Sequence, residues 1–232
     1  MEEQITVGDF TIKVFRKPIK NIHLRIYPPD GSIQISAPKK MSLDSIRLFA
    51  VSKSGWIQKK CREVKSFPRQ SEREYVSGEN HYFKGTRYRL KVIYQHTDPH
   101  VELQGNQFIY LYVRRDATIE RRAEILKNWY RTSLAEILEP LVTKWEGIFN
   151  VTVEHWEIKQ MKTLWGSCNT KRKTVRFNLE LAKKPVHCID YIVAHELAHL
   201  IERKHNDRFV SLLDANLPNW MQIKNELNEF IV

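Results

Sequence analysis

Between Phe10 and Pro38 apolar and polar residues alternate. The runs Ile22-His23-Leu24-Arg25-Ile26-Tyr27 and Ile33-Gln34-Ile35-Ser36 have the two-residue period that turns one face of a strand inward and the other to water. Pro28-Pro29-Asp30-Gly31 between them predicts a turn. At Ser42 the period changes. A serine with Asp44 two residues on, then Ile46, Phe49, Ala50, Trp56 and Ile57, predicts an amphipathic helix to about Lys65, with Gly55 as its weak point. Further on, Tyr82 to Ile93 holds two short strands around Gly85, and Val101 to Gln104 and Phe108 to Val113 read as a hairpin across Gly105-Asn106. No repeat and no low-complexity tract is visible. Residues 117 to about 148 carry the longest helical stripe, through Ile125, Leu126, Trp129, Leu134 and Leu138, and Pro140 is expected to kink or interrupt it. The pattern predicts an α+β protein. A mostly antiparallel β-rich domain at 1–116 is joined by this long helix to a second domain, 117–232.

Length and composition narrow the class. With 232 residues, 42% of them hydrophobic and 28% charged, the chain can bury a core and is neither disordered nor a disulfide-stapled miniprotein. No stretch approaches the roughly 20 apolar residues of a membrane span. Met1-Glu2-Glu3-Gln4 lacks the basic start and apolar run of a secretion signal, and Cys61, Cys168 and Cys188 cannot all pair within one chain, so a cytoplasmic protein with free thiols is expected. Net charge is +11, and residues 11–70 alone carry that excess, with 14 Lys and Arg against 3 acids. Such a surface attracts polyanions without choosing among them. It reads either as a solvated basic face or as a weak nucleic-acid contact in the N-terminal half.

The chemistry lies in the second half. Val193-Ala194-His195-Glu196-Leu197-Ala198-His199-Leu200 contains His-Glu-x-x-His, preceded by apolar Ile189 and Ile192. At about 100° per residue the two histidines sit about 40° apart, one helical turn above the other, so both imidazoles reach one ion. Glu196 lies beside them and can reach a water on the metal without being a ligand. The alternative is a pair of core histidines satisfied by hydrogen bonds. A hydrolytic site needs a third protein ligand and an open position. His205 qualifies if the helix ends near Arg203 and lets it swing back; Glu202 and Asp207 compete as oxygen ligands. Asn206-Asp207 can cap a following helix with apolar Phe209, Leu212 and Leu213.

Upstream, Lys162-Thr163-Leu164-Trp165-Gly166-Ser167-Cys168 is a tight glycine-containing segment before a strand-like run, Thr174 to Leu179. An exposed strand edge beside a metal helix binds an extended peptide through main-chain hydrogen bonds, which makes Val175, Arg176, Phe177, Asn178 and Leu179 the candidate substrate strand; an ordinary hairpin over the core is the alternative. Cys168 and Cys188 fit no common zinc spacing and read as buried thiols. Tyr191, His187 and Arg176 are candidates to stabilise an oxyanion.

Taken together, Trp165-Gly166-Ser167-Cys168, the run Ile189 to Leu200, and His205 followed by Phe209 resemble the YgjP-like metallopeptidase family, a zincin group related to SprT-like and WLM proteases. Weaker similarity extends through Tyr82 to Tyr88, Trp129-Tyr130, Ser36-Ala37-Pro38 and Trp56-Ile57. The resemblance implies a zincin-like α+β core over the C-terminal half. It implies one zinc ion per chain held by His195, His199 and His205, with Glu196 as general base in the hydrolysis of a peptide or protein substrate by a metal-activated water. The chain departs from the family in Lys204-His205-Asn206 where Asn-His-Ser is usual, and in Phe209-Val210 where Phe-Trp is usual. The competing class is a basic nucleic-acid- or protein-binding module with a structural or silent zinc site, and a protease recruited to DNA-bound proteins would combine the two.

Overall fold

The computed structural model describes residues 2–27, 31–66 and 73–229, so the turn predicted at 28–31 lies outside the described residues except for Gly31. It divides into two compact units, Met1–Ser71 and Glu72–Val232. In the first, β1 (Glu2–Val7) and β2 (Phe10–Lys17) form one antiparallel hairpin, and β3 (His23–Tyr27) and β4 (Ser32–Pro38) form another. The hairpins join through a parallel pairing of β2 with β4, in the order β1-β2-β4-β3. This register sets Ile12 beside Ile33 and Val14 beside Ile35. The strand alternation thus becomes one apolar face, which Ile46, Ala50 and Ile57 cover. Each fully buried aliphatic side chain there contributes about 1.5–3 kcal/mol.

The helix expected from Ser42 is two helices, α1 (Leu43–Ser52) and α2 (Ser54–Ser66). Ser42 caps the first, accepting from the Ser45 N–H. The break falls at Lys53, whose N–H donates to the Phe49 and Ala50 carbonyls. Ser52, Ser54 and Gly55 hold a helix weakly, so the chain turns where the sequence supports it least.

The second unit opens with the same strand order. Strands β5 (Asn80–Phe83), β6 (Thr86–Tyr94), β7 (His100–Gln104) and β8 (Phe108–Val113) form a sheet β5-β6-β8-β7, again two hairpins joined by a parallel central pair. The arrangement recurs although no repeat shows in the sequence, because strand order depends on alternation and turns rather than residue identity. Lys84-Gly85 closes the first hairpin with φ of +50° and +81°, the left-handed pair that a two-residue turn needs. A side chain at Gly85 would stand 2.7 Å from the Pro185 ring, so this tip packs where only glycine fits.

Helix α3 (Ile119–Phe149) follows, capped by Thr118 and ended by Asn150 in the left-handed region. It runs through Pro140 without interruption. Its buried stripe, Leu126, Leu134, Leu138 and Trp145, shares one core with Leu90, Ile109 and Leu111 of the sheet and with the C-terminal elements. Strands 80–113, grouped by sequence with the N-terminal part, therefore pack with residues 117–232. The sheet's apolar face is the wall that the α3 stripe needs.

A third sheet, β10-β11-β9, contains β9 (His155–Lys159), β10 (Gly166–Asn169) and β11 (Thr174–Asn178). A 3-10 turn over Leu179–Lys183 leads into α4 (Val186–Ala198), then α5 (Asp207–Asn216) and α6 (Trp220–Glu229). Among the described residues no helix is long and apolar enough to cross a membrane.

Candidate metal centre

Helix α4 is apolar nearly all round, with Ile189, Val193, Ala194 and Leu197 fully buried, so its buried polar side chains must be satisfied by neighbouring groups or by a ligand. Asp190 anchors the helix to α3: the Trp145 Nε1–H donates to its Oδ1 at 2.6 Å and the Lys144 ammonium lies 2.8 Å from Oδ2. The helix ends earlier than expected, at Ala198 with His199 as its C-cap. The Leu200, Ile201 and Glu202 amides close the turn onto Leu197 and Ala198 carbonyls. That early end reverses the chain and brings His205 back. Asn206 then caps α5 by accepting from the Phe209 N–H at 3.1 Å.

The three imidazoles converge. Ring centroids lie 5.0 Å apart for His195 and His199, 5.0 Å for His195 and His205, and 4.7 Å for His199 and His205. Nε2 of His205 is 3.1 Å from Nε2 of His195. Two nitrogens bound about 2.0–2.1 Å from a tetrahedral zinc stand about 3.3 Å apart, so this spacing fits the ion. The outer nitrogens are occupied in the sense ligation requires: His199 Nδ1–H donates to the Glu202 carbonyl at 3.2 Å, and His195 Nδ1 faces the Tyr191 hydroxyl at 3.5 Å. Burial pushes the His195 pKa down to about 3 and lowers that of His199, with the neighbouring imidazoles adding to the effect, so both present neutral lone pairs at pH 7. A donor set of three imidazoles suits zinc chemistry. The Glu202 carboxylate instead accepts from the Lys204 N–H, and Asp207 sits in the first turn of α5; neither joins the cluster.

Glu196 is 6% exposed, and burial pushes its pKa up to about 8. Behind it runs β10, so close that a Cβ at Gly166 would stand 2.5 Å from Glu196 Oε1. Glu196, the three histidines, Gly166, Ser167, Cys168 and Arg203 line an open cleft of about 310 Å³. Phe209 packs under all three rings, at centroid distances of 5.0, 4.8 and 4.8 Å. Sequence reading missed the cleft roles of Gly166 and Arg203; the close Trp-Gly-Ser-Cys segment was the signal for the first, and nothing distinguished Arg203 from a helix-end charge. Burial and the Glu196 charge push the Cys168 thiol up to about 11, which keeps it protonated.

The proposed substrate strand is corrected by the topology. β11 is the central strand of its sheet, paired with β10 on one side and β9 on the other, and has no free edge. Val175 and Phe177 are fully buried, Leu179 belongs to the 3-10 turn, and Arg176 pairs with Glu157 at 2.7 Å. Asn178 is buried and spends its amide on the loop before β10, donating to the Met161 and Leu164 carbonyls and accepting from the Met161 and Glu180 amides. The edge strand beside the metal helix is β10. The Asn178 N–H donates to the Trp165 carbonyl, so by the antiparallel alternation Gly166 and Cys168 turn their main-chain groups away from β11. None of the three oxyanion candidates lines the cleft: Tyr191 is buried with its hydroxyl 3.5 Å from His195 Nδ1, His187 pairs with Glu226 at 2.7 Å, and Arg176 is held by Glu157.

Compared with known proteins, residues 20–230 match the family model described as YgjP-like, metallopeptidase domain. Among curated proteins none matches. Two solved structures are similar over part of the chain. One is the metallopeptidase zymogen abylysin of Pyrococcus abyssi, 20% identical with a TM-score of 0.36, covering 38% of this chain and 90% of that one. The other is the zymogen jannalysin of Methanocaldococcus jannaschii, 23% identical with a TM-score of 0.36, covering 39% and 93%.

Proposed function

Because the chain belongs to the YgjP-like metallopeptidase family, we propose that it hydrolyses peptide bonds with one zinc ion held by His195, His199 and His205 and with Glu196 as the proton carrier. The observation that carries this reading is the convergence of three imidazoles, two of them with Nε2 atoms 3.1 Å apart, beside a carboxyl whose pKa burial raises. Bound zinc would act as a Lewis acid, lowering the pKa of a water towards about 7 and polarising the scissile carbonyl.

The chain's own residues supply the rest. Glu196 accepts the proton of the attacking water and delivers it to the leaving amine, and a carboxyl lifted towards neutrality by desolvation does both at pH 7 better than an exposed one. The Glu202 carbonyl and Tyr191 hydroxyl hold the rings of His199 and His195 in orientation. A peptide adding to the open edge of β10 would place its carbonyls along the cleft floor. Arg203, at the rim, is positioned to meet a negative oxygen or a substrate carboxylate.

Metal analysis beside hydrolysis of casein tests the assignment. Glu196→Gln is expected to keep one zinc per chain and lose at least about 100-fold in kcat, whereas His199→Ala should lose both metal and turnover. Full hydrolytic activity in Glu196→Gln would remove the mechanism; activity that survives a chelator would remove the metal.

A further inference from the structure

The outer face of the sheet β5-β6-β8-β7 sets aromatic and basic side chains next to one another. Its inner face, Leu90, Ile109 and Leu111, is fully buried in the core. By alternation, the residues between them point the other way. On β8 these are Phe108, Tyr110 and Tyr112, all only half-buried. The parallel register sets Arg89 beside Phe108 and Lys91 beside Tyr110, and the antiparallel register sets His100 beside Tyr112. The result is a row of aromatic rings with a row of cations along one side.

Two of the three tyrosine and phenylalanine rings are ordered as a platform, and the Phe108 ring stands edge-on to that of Tyr110, at 64° with centroids 6.0 Å apart. The rings of Tyr110 and Tyr112 are within 20° of parallel, with centroids 6.4 Å apart, and His100 stacks on Tyr112 at 4.5 Å and 15°. The Lys91 ammonium sits among them, 3.8 Å from the Phe108 ring centre and 3.3 Å from the Tyr110 hydroxyl. The register places the carboxylate of Glu102 across Tyr110 from Lys91, where it accepts from the Tyr112 hydroxyl and the Gln104 side-chain amide. At the Phe108 end a cleft of about 390 Å³ is lined by Asn80, Arg87, Arg89, Asn106, Gln107 and Phe108. That volume suits a small organic ligand, and side-chain amides match the donor and acceptor edges of a base.

We infer that this face binds single-stranded nucleic acid, with bases stacked on Phe108, Tyr110 and Tyr112, phosphates on Arg87, Arg89 and Lys91, and one terminal base in the cleft. Every base offers a flat face to such a row, whereas a duplex hides those faces inside its stack. Cations alone would attract any polyanion; the interleaved rings select one with exposed aromatic faces. The surface lies on a different sheet from the metal centre, and the inference stands whether or not the peptidase assignment does.

Fluorescence anisotropy of a labelled oligothymidine with the full metal-loaded chain tests it. Binding at low salt is expected, with a log–log salt slope of about −2 for three neutralised phosphates. Tyr110→Leu, which keeps an apolar strand residue, should weaken binding roughly tenfold at unchanged thermal midpoint. Arg87→Gln with Arg89→Gln, both exposed and tolerant of change, should flatten the slope by about 1.4. Three results would each overturn the inference: no binding at low salt, a duplex competing as well as the single strand, or wild-type affinity and slope in both variants, which would move any affinity to the basic residues of 11–70.

Discussion

At Gly166 the main chain of β10 passes so near Glu196 that a methyl group would be 2.5 Å from its oxygen. Backbone atoms cannot give way, so Gly166→Ala must displace the carboxylate. A misplacement of that order costs roughly 100-fold in kcat while the three histidines still load metal, a pairing that hydrolysis rates and metal content read separately. A second residue acts through charge. His81 is 2% exposed, with the Arg73 guanidinium 3.2 Å from its ring; burial first, then that charge, push its pKa down to about 4 despite Glu79 alongside. The native state therefore binds fewer protons than the unfolded chain between about pH 4 and 6.5. Its contribution to stability is complete above 6.5 and is lost as pH falls towards 4. The urea midpoint should drop from pH 7 to pH 5, and His81→Gln should reduce that drop. The histidine pair and Glu196 were legible in the sequence because ligand spacing on a helix is local. The need for glycine at 166 was not, since it depends on a helix some thirty residues away.

Among the elements, β10 is the edge along which the proposed substrate would lie. As an edge strand it presents the main chain of Gly166 and Cys168 outward, beside the buried Glu196. Proline is tolerated on an edge where the N–H faces solvent, so Cys168→Pro should leave the fold and the metal intact. It removes one donor from the substrate ladder, and KM for a peptide is expected to rise about tenfold with zinc content unchanged. An unaltered KM would mean that substrate does not use this edge. Alternation in Val175 to Asn178 correctly marked a strand, but a central strand with one apolar face, Val175 and Phe177, carries the same pattern as an edge strand. The α1–α2 break and the intact α3 make the same point in opposite directions. Weak propensity won at Ser52 to Gly55, where few partners hold the helix, whereas Pro140 is carried by a buried stripe on both sides, Leu134 and Leu138 before it and Val142 and Trp145 after.

For the molecule as a whole, the two apolar cores are separate, one within Met1–Ser71 and the other within Glu72–Val232. A fragment starting at Arg73 keeps all of the second core and is expected to fold and to bind zinc; circular dichroism with metal analysis checks it, and an unfolded fragment would show that the first unit is needed. Local order along the chain determined much of this protein. Strand alternation, the caps at Ser42, Thr118 and Asn206, and the one-turn spacing of His195 and His199 all express interactions within a few residues. Tertiary structure alone decided the rest: the shared order of two sheets without shared sequence, the partnership of strands 80–113 with α3, the return of His205 to His195 and His199 on α4, and β10 rather than β11 as the open edge. These depend on which faces meet across long stretches of chain, and a period of two or 3.6 residues states that a face exists without stating what will cover it.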